Sequence, residues 1–246
     1  MKIALIGYGK MGKAIEEIAL QNGHEIVLKI SIENAVDLTI DNIQKADVAI
    51  EFTGPESAVK NIRICLDAGI PVVCGSTGWL KDWETLVDIC NDKNGALLYA
   101  SNFSIGVNIF FEINKQLAKL MSNRPEYNVS IEETHHTEKK DAPSGTAISI
   151  AEDLLANYPL KNKWILGKSS NQDELSIISK RIDPAPGVHS VLYNSPIDQI
   201  EITHTAHNRI GFASGAVLAA EFILGKKGVF NMGDVLASSI NLKSRI

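Results

Sequence analysis

A short apolar run at Lys2–Ile6 leads directly into the sequence GYGKMG, and a segment with the apolar period of a helix follows. Ile15 and Ala19 fall on one face of that helix, and Asn22-Gly23 is a typical helix end. Glycines in a strand-to-helix turn of this form let the backbone approach a pyrophosphate, and the helix start adds free amides. The pattern therefore favours a dinucleotide site over a glycine-rich turn without a ligand. Its expected contacts are Gly7, Tyr8, Gly9, Lys10, Met11 and Gly12.

Strand and helix patterns alternate through the first 105 residues, which is typical of a parallel sheet with helices on both faces. The further strands are expected at Glu25–Ile30, Ala46–Phe52, Pro71–Cys74 and Ala96–Tyr99, and the further helices at Glu56–Ala68 and Lys81–Cys90. We therefore predict a Rossmann-type, doubly wound α/β domain at residues 1–105.

The pattern changes after residue 105, where consecutive strands replace the alternation. Helices are expected at Gly106–Met121 and Ser144–Ala156, and strands at Tyr127–His136, Leu175–Ile182, Val188–Tyr193 and Gln199–Thr205. Strands in succession predict a second, α+β domain with a mixed sheet at residues 106–209. A last apolar helix, Gly211–Leu224 with Gly225 as its C-cap, is expected to return to the first domain with residues 210–246.

The charge and cysteine content argue against several classes of protein. A net charge of −5 on 246 residues disfavours a general binder of nucleic acid or of anionic membranes. No apolar run approaches the roughly 20 residues of a membrane span. Cys65, Cys74 and Cys90 show no CxxC spacing, so we expect a reduced, cytoplasmic protein.

Two further loops follow predicted strands, at the edge where ligands bind in open α/β sheets. Each could be an ordinary polar connection, but their place beside the glycine turn favours contacts to a cofactor. The expected contacts are Gly75, Ser76 and Thr77 in the first loop and Ala100, Ser101, Asn102 and Phe103 in the second. NADH and NADPH both remain open, because Glu33 suits a ribose 2′-hydroxyl while Lys29 suits a 2′-phosphate or simply faces water.

The segment ETHHTEKKDAPSGTA, residues 133–147, combines histidines, lysines and a turn that opens a helix. The strand period places Glu133 and His135 on the apolar face and His136 on the other, so the two histidines point apart. They are therefore not expected to chelate one metal ion, and no HxxxH or CxxC spacing indicates a zinc site. A lone histidine at a strand end is more often structural, but the lysines and the turn favour proton transfer beside an anion.

Ser144 can cap the helix that begins at Gly145 and Thr146. The amides at that helix start and the nearby hydroxyls form a site of the right size for a carboxylate, although a plain N-cap is the alternative. Lys139 and Lys140 are both candidates for a proton donor or a charge clamp, and their spacing does not choose between them.

With these motifs, the chain resembles the 4-hydroxy-tetrahydrodipicolinate reductase family over essentially its whole length. The similarity lies in GYGKMG, EFTGPE at residues 51–56, GSTG at 75–78 and SNFSIGVN at 101–108. It is most specific in HHTEKKDAPSGTA at 135–147, which fits the family's HHxxKxDAPSGTA. The glycine motif alone is shared with many dehydrogenases.

This resemblance implies an NADPH- or NADH-dependent reduction of a dicarboxylate in lysine and diaminopimelate biosynthesis. The nicotinamide would deliver hydride to ring C4, after or with loss of the 4-hydroxyl, and the enamine would be protonated at C3. The resemblance also implies a homotetramer joined through the sheets of the second domain, and closure of the two domains. It assigns acid/base chemistry to His135, proton donation to Lys139 rather than Lys140, a carboxylate contact to His136, and a carboxylate grip to Ser144, Gly145 and Thr146.

Several positions depart from the family's pattern without removing a proposed catalytic group. Glu51 replaces an aspartate and Ser76 a threonine, while Thr137 and Glu138 stand where relatives are often basic. The segment RIDPAPGVH at 181–189 keeps the arginine, the last glycine and the histidine of the family's RxGxVxGxH, but Asp183 replaces a glycine and Ala185 a valine. The alternative functions are another two-domain dehydrogenase of an amino acid or a sugar, a dinucleotide sensor without activity, and a metal hydrolase.

Overall fold

The computed structural model describes residues 1–208 and 210–243. The chain forms two compact units, Met1–Ile105 with Ile210–Ile246 and Gly106–Arg209. The second predicted domain ends at residue 209, and the returning segment of the first ends at residue 246. Residues 209 and 244–246 lie outside the described part of the chain.

The helices and strands follow one another in three stretches of chain. The first stretch contains β1 (Lys2–Ile6), α1 (Lys10–Gln21), β2 (Glu25–Ile30), α2 (Ile40–Ile43), β3 (Val48–Glu51), α3 (Pro55–Asp67), β4 (Val72–Cys74), α4 (Trp83–Asp92) and β5 (Ala96–Tyr99). The second contains α5 (Ile105–Met121), β6 (Asn128–His135), α6 (Gly145–Leu155), β7 (Lys163–Leu166), β8 (Glu174–Arg181), β9 (Val188–Asn194) and β10 (Gln199–Thr205). The third contains α7 (Ile210–Ile223), β11 (Gly228–Phe230) and α8 (Met232–Lys243).

The first unit is built on a six-stranded parallel sheet in the order β11-β5-β4-β3-β1-β2. Side chains of β1 alternate between two apolar layers: Ile3 and Leu5 pack with α1 and α7, and Ala4 and Ile6 pack with α3 and α4. Because helices cover both faces, the central strands are largely apolar, with the buried Glu51 at the end of β3 as an exception. Most polar residues therefore lie in the loops after the strands' carboxyl ends.

The second unit has a five-stranded mixed sheet in the order β10-β9-β6-β8-β7. β6 is the middle strand, antiparallel to β9 and parallel to β8. One face of the sheet packs against α5 and α6 through residues such as Phe110, Ile131 and Ile150. The polar end of β6 thus lies between two neighbouring strands, which place further side chains beside it.

The predicted fold class is confirmed, since a doubly wound parallel sheet is accompanied by a second, mixed sheet. The sequence prediction omits β7, β11, α2 and α8. β7 and β11 are short edge strands whose pairing depends on tertiary contacts rather than on an apolar period. The α4 helix begins later than predicted, because a 3₁₀ turn at Leu80–Asp82 precedes it.

The state of the cysteines and the character of the helices can be compared with the sequence predictions. Cys65, Cys74 and Cys90 are free and buried. Burial raises the pKa of the Cys65 and Cys74 thiols, which makes both poor nucleophiles. Of the helices in the described residues, none combines the length and the apolar character needed to cross a bilayer.

Candidate active site

The turn between β1 and α1 depends on close contacts that only glycine allows. Gly7 has a φ of +98°, and a Cβ there would lie 2.1 Å from the carbonyl oxygen of Phe52. A Cβ at Gly12 would lie 2.5 Å from the carbonyl oxygen of Gly7. At Gly9, by contrast, a Cβ would meet no atom within 4 Å in the part of the chain that the structure describes. The turn therefore leaves open space at Gly9, which fits the close approach of a pyrophosphate.

A cavity of about 800 Å³ extends from this turn to the loop after β2 and the start of α3. Its volume lies within the range of small-molecule sites. Within the described residues no side chain caps α1, so the first amides of that helix can bind a phosphate. The polar and charged side chains in the lining include Tyr8, Lys13, Ser31, Glu33, Thr53 and Glu56.

Lys29, the candidate for binding a 2′-phosphate, is engaged elsewhere. Its ammonium lies 2.6 Å from the Glu16 carboxylate and 5.0 Å from the centre of the Tyr8 ring. The Tyr8 hydroxyl donates a hydrogen bond to the same carboxylate. The hydrogen bonds from Lys29 and Tyr8 lower the pKa of Glu16, so this group stays ionised and holds the lysine.

The loops after β4 and β5 offer backbone atoms more than side chains. The buried Ser76 hydroxyl accepts a hydrogen bond of 2.8 Å from the amide of Thr53 and so joins two loops. The Phe103 ring packs in the core, 5.5 Å from the ring of Phe52. Ser76 and Phe103 could therefore reach a cofactor only through their main chains. Of the other predicted contacts, Lys10, Thr77 and Ser101 are exposed, Met11, Gly75 and Ala100 are half-buried, and Asn102 is buried.

In the second unit, the centre of a polar cluster is the fully buried carboxylate of Glu133. It accepts hydrogen bonds from the amide of Ser144, at 3.1 and 3.2 Å, and from the hydroxyl of Ser179, at 2.7 Å. Burial opposes its ionisation, but bonds from His189, Ser144 and Ser179 outweigh that cost and hold the pKa of Glu133 well below its usual range. A full negative charge therefore lies beside the start of α6.

Two imidazoles flank this charge. His135 Nδ1 lies 3.5 Å and His189 Nε2 lies 3.7 Å from one oxygen of Glu133, and the ring centres are 5.0 Å apart. Burial, followed by the charge of His189, lowers the pKa of His135 to about 4. The imidazole of His135 is therefore neutral near pH 7 and able to accept a proton. The predicted alternation of β6 is confirmed, because Glu133 and His135 share its buried face.

Lys139 lies at the edge of this cluster, and its ammonium is 2.9 Å from both carboxylate oxygens of Asp141. Arg181 donates hydrogen bonds to the carbonyl oxygens of Lys139 and Asp141, at 3.2 and 2.6 Å. Its guanidinium also lies 3.6 Å from the Glu133 carboxylate. Arg181 thus fastens the lysine-bearing segment to the sheet, whereas the side chain of Lys140 is exposed.

Ser144 caps α6 as the sequence predicts, because its hydroxyl accepts a hydrogen bond of 3.1 Å from the amide of Ala147. The same oxygen lies 3.2 Å from Nε2 of His189. Gly145 is exposed, and a Cβ there would meet no other atom of the described residues within 4 Å. The helix start at Gly145 and Thr146 therefore has room for a carboxylate close to the histidines.

His136 lies apart from this cluster. It lines a separate surface cavity of about 520 Å³ together with Thr137, Glu138 and Asp183. The amide and the hydroxyl of Thr137 both donate to the Asp183 carboxylate, at 3.0 and 2.6 Å. Two of the departures from the family's pattern, at residues 137 and 183, are thus paired with each other.

The sequence prediction of the site omits Glu133, His189 and Arg181. Pairing between strands brings them together, since Glu133 lies opposite His189 on β9 and Ser179 on β8, while His135 lies opposite Arg181. The strand period indicates the face of Glu133 but not its neighbours. The arginine and histidine of the family's RxGxVxGxH pattern, which this chain keeps, are the signal that points to the other two.

Glu133, His135 and His189 also form a set that can in principle hold a metal ion, with ligand atoms within 4.8 Å of one another. The sequence argument against a joint metal site concerned His135 and His136, and it did not foresee His189. The carboxylate of Glu133 already accepts bonds from Ser144 and Ser179. The nearby Arg181 guanidinium opposes a second cation, which disfavours a metal ion at this cluster.

Comparison with known proteins identifies relatives over nearly the whole chain. Family models described as dihydrodipicolinate reductase, N-terminus, and dihydrodipicolinate reductase, C-terminus, match residues 1–103 and 106–236. A 4-hydroxy-tetrahydrodipicolinate reductase of Christiangramia forsetii is 50% identical over 239 residues, which are 96% of this chain and 98% of that protein. One of Lawsonia intracellularis is 33% identical over 262 residues, with coverage of 96% and 99%.

A solved structure shares the fold. It is the dipicolinate-bound dihydrodipicolinate reductase from Paenisporosarcina sp. TG-14, with a TM-score of 0.76 at 22% identity. The match covers 94% of this chain and 97% of that one. The two family models and the relatives, which span both units, lead to one assignment. The chain belongs to the dihydrodipicolinate reductase family.

Proposed function

We propose that this chain catalyses the NAD(P)H-dependent reduction of 4-hydroxy-tetrahydrodipicolinate to tetrahydrodipicolinate, a step in lysine and diaminopimelate biosynthesis. The observation that carries the proposal is the cluster in which His135 and the helix start at Ser144 meet around one buried carboxylate. Membership of a reductase family supports the same activity. NADPH or NADH, when bound, supplies the hydride, and the glycine turn at residues 7–12 would hold its pyrophosphate.

Proton transfer is assigned to His135 and Lys139. The neutral imidazole of His135 is a proton acceptor in the free protein, because burial and His189 lower its pKa to about 4. A dicarboxylate beside it brings negative charge and favours the protonated imidazole. Lys139 adds a cation and a proton for carbon C3 of the enamine. The ion pair with Asp141 holds its ammonium at the edge of the cluster.

The substrate's carboxylates are assigned to two places. One would bind at the start of α6, where Ser144, Gly145 and Thr146 lie, because the positive end of the helix is there and the space beside Gly145 is open among the described residues. The amide of Ser144 is itself bound to Glu133. His136 is the proposed contact for the other, as the resemblance to the family implies. It lines a surface cavity whose described lining does not include Ser144, so the two carboxylates would be held at separate places.

The first unit is the proposed dinucleotide-binding domain, and the second the proposed domain for substrate binding and oligomerisation. The second sheet supports a homotetramer, because β10 lies at its edge and carries the partly exposed Ile200. The nearby Ile197 is 83% exposed, an apolar surface that a partner subunit would cover. Light scattering after size exclusion should give four times the mass of the chain.

A cytoplasmic location is proposed from the three free cysteines.

The experiment is an assay with the substrate made in place. Dihydrodipicolinate synthase, pyruvate and aspartate semialdehyde generate 4-hydroxy-tetrahydrodipicolinate, and the loss of nicotinamide absorbance reports its reduction. We expect NADH or NADPH to be oxidised only when all three are present. Absence of oxidation with both cofactors would defeat the proposal. Turnover with an amino-acid or sugar substrate instead would favour another two-domain dehydrogenase. Binding of the cofactor without any turnover would favour a dinucleotide sensor.

A further inference from the structure

We infer that Glu133 is a positioning residue for this reaction: its carboxylate holds the acid/base imidazole of His135 and the carboxylate-binding helix start at Ser144 in one fixed arrangement. The inference rests on the proposed function and adds a residue to which the reaction chemistry itself assigns no part. Glu133 touches neither reacting carbon nor cofactor in this account. It acts through His135 and Ser144.

The two oxygens of the carboxylate have different neighbours. Oε1 accepts the hydrogen bond from Ser179 and lies 3.6 Å from the Arg181 guanidinium. Oε2 lies 3.5 Å from His135 Nδ1 and 3.7 Å from His189 Nε2. The amide of Ser144 donates to both oxygens, at 3.1 and 3.2 Å. One oxygen is therefore anchored to β8 while the other faces the imidazoles.

This arrangement selects one tautomer of His135. A carboxylate oxygen near Nδ1 favours the form with its hydrogen on Nδ1 and leaves Nε2 free to exchange a proton. The separation of 3.5 Å exceeds that of a formed hydrogen bond, and catalytic contacts of this kind tighten when substrate binds. A Cβ at Gly187 would come within 3.2 Å of Nε2, so the glycine keeps that edge of the ring clear.

If Glu133 had only a structural role, its carboxylate would need fewer contacts than it makes. The bonds from Ser144 and Ser179 would by themselves satisfy a buried carboxylate that only joined α6 to β8. The further contact with His135 makes the charge of Glu133 part of the proton-transfer site. Glu133 raises the pKa of His135, against burial, His189, Lys139 and Arg181, which all lower it. Removing the charge should therefore alter the pH dependence of turnover.

The test compares Glu133→Gln with Glu132→Gln. The two substitutions are chemically identical, but Glu132 lies on the other face of β6 and pairs with Lys180. We expect Glu133→Gln to lower kcat about a hundredfold and to move the acidic limb of the kcat–pH profile to lower pH. Glu132→Gln should match the wild type in both. Both variants should bind NADH as the wild type does, because the glycine turn lies in the other unit.

Each outcome decides the question. Unchanged kcat in Glu133→Gln overturns the inference, and so does a lower kcat without movement of the acidic limb. If Glu133→Gln does not fold, Ser179→Ala takes its place, because it removes a 2.7 Å bond and keeps the charge. We then expect a folded protein with a somewhat lower unfolding temperature and a loss of kcat of about tenfold, and wild-type kinetics would refute the role. An inactive wild-type protein would instead defeat the proposed function.

Discussion

The ammonium of Lys139 lies 2.9 Å from each carboxylate oxygen of Asp141, and Arg181 binds the backbone carbonyls of both residues. This pairing holds a cation at the edge of the Glu133 cluster, where the proposed reaction needs a proton donor. The adjacent Lys140 is exposed and serves as a matched comparison.

Replacement of Lys139 by methionine should lower kcat by roughly two to four orders of magnitude, because the enamine loses its proton donor. Lys140→Met should leave kcat near the wild-type value. Steady-state rates with saturating cofactor measure both. A large loss in Lys140→Met with little loss in Lys139→Met would show that the motif spacing selects the wrong lysine, and equal losses would show that it does not distinguish the two.

The imidazole of His135 should titrate far below an ordinary histidine. Its pKa of about 4 in the free protein follows from burial and from His189. Pyridine-2,6-dicarboxylate, a stable diacid, should raise that pKa by placing negative charge beside the ring. NMR of the labelled imidazole over a pH series, with and without the diacid, measures the change. A value that the diacid does not alter would place His135 outside the binding site.

Conformational stability should fall in mild acid. The pKa of His135 is about 4 in the folded chain and about 6.5 when unfolded, so the unfolded chain binds more protons between these values. The free energy of unfolding therefore decreases as the pH falls through this window. Urea unfolding at several pH values should show the slope, and His135→Gln should flatten it. An equal slope in the variant would contradict the lowered pKa.

Local sequence patterns were enough to predict part of this site. The alternation of β6 predicts the common face of Glu133 and His135, and the N-cap preference predicts the role of Ser144 in α6. His189 and Arg181 come from β9 and β8, and only the register of the sheet brings them beside β6. That register depends on long-range packing, which a local period does not encode.

In the first unit, too, local patterns were predictable and contacts between elements were not. A strand, a glycine turn and a helix are a local pattern, and the structure has them at the predicted residues. The burial of the Phe103 ring and the engagement of Lys29 by Glu16 depend on neighbours from other elements. Loop side chains were therefore the least predictable part of the site.

The bond between Thr137 and Asp183 should stabilise the loop beside His136. Its loss in Asp183→Ala should raise KM for the substrate by about two- to tenfold and leave kcat largely unchanged. Thr137→Val should have a smaller effect, because the amide bond to Asp183 remains. In the double variant the two effects should not add, because Asp183→Ala already removes the hydroxyl bond that Thr137→Val removes. Additive effects would mean that the residues act separately.

NADH should be preferred to NADPH. Glu33 and Glu56 outnumber Lys13 among the charged residues in the described lining of the cavity, and Glu16 holds Lys29. A 2′-phosphate would therefore meet negative charge near the end of β2. Fluorescence titration with each cofactor tests the preference, and tighter binding of NADPH by the wild-type protein would contradict it.

A charge-neutral variant tests the cause of that preference. Glu16→Gln should free Lys29 and improve kcat/KM for NADPH relative to NADH by about tenfold. The neighbouring Glu17 contacts only Gln21 among the interactions described for it, so Glu17→Gln is the control and should keep the wild-type ratio. A similar change in both variants would exclude the release of Lys29 as the cause.

The most direct test of the proposed reductase activity follows the hydride from the nicotinamide into the product. NADH with deuterium at both C4 positions of the nicotinamide is incubated with the protein and freshly generated 4-hydroxy-tetrahydrodipicolinate, and the product is analysed by mass spectrometry and NMR. We expect tetrahydrodipicolinate with one deuterium at ring C4. Oxidation of NADH without deuterium in that product, or no oxidation, would contradict it.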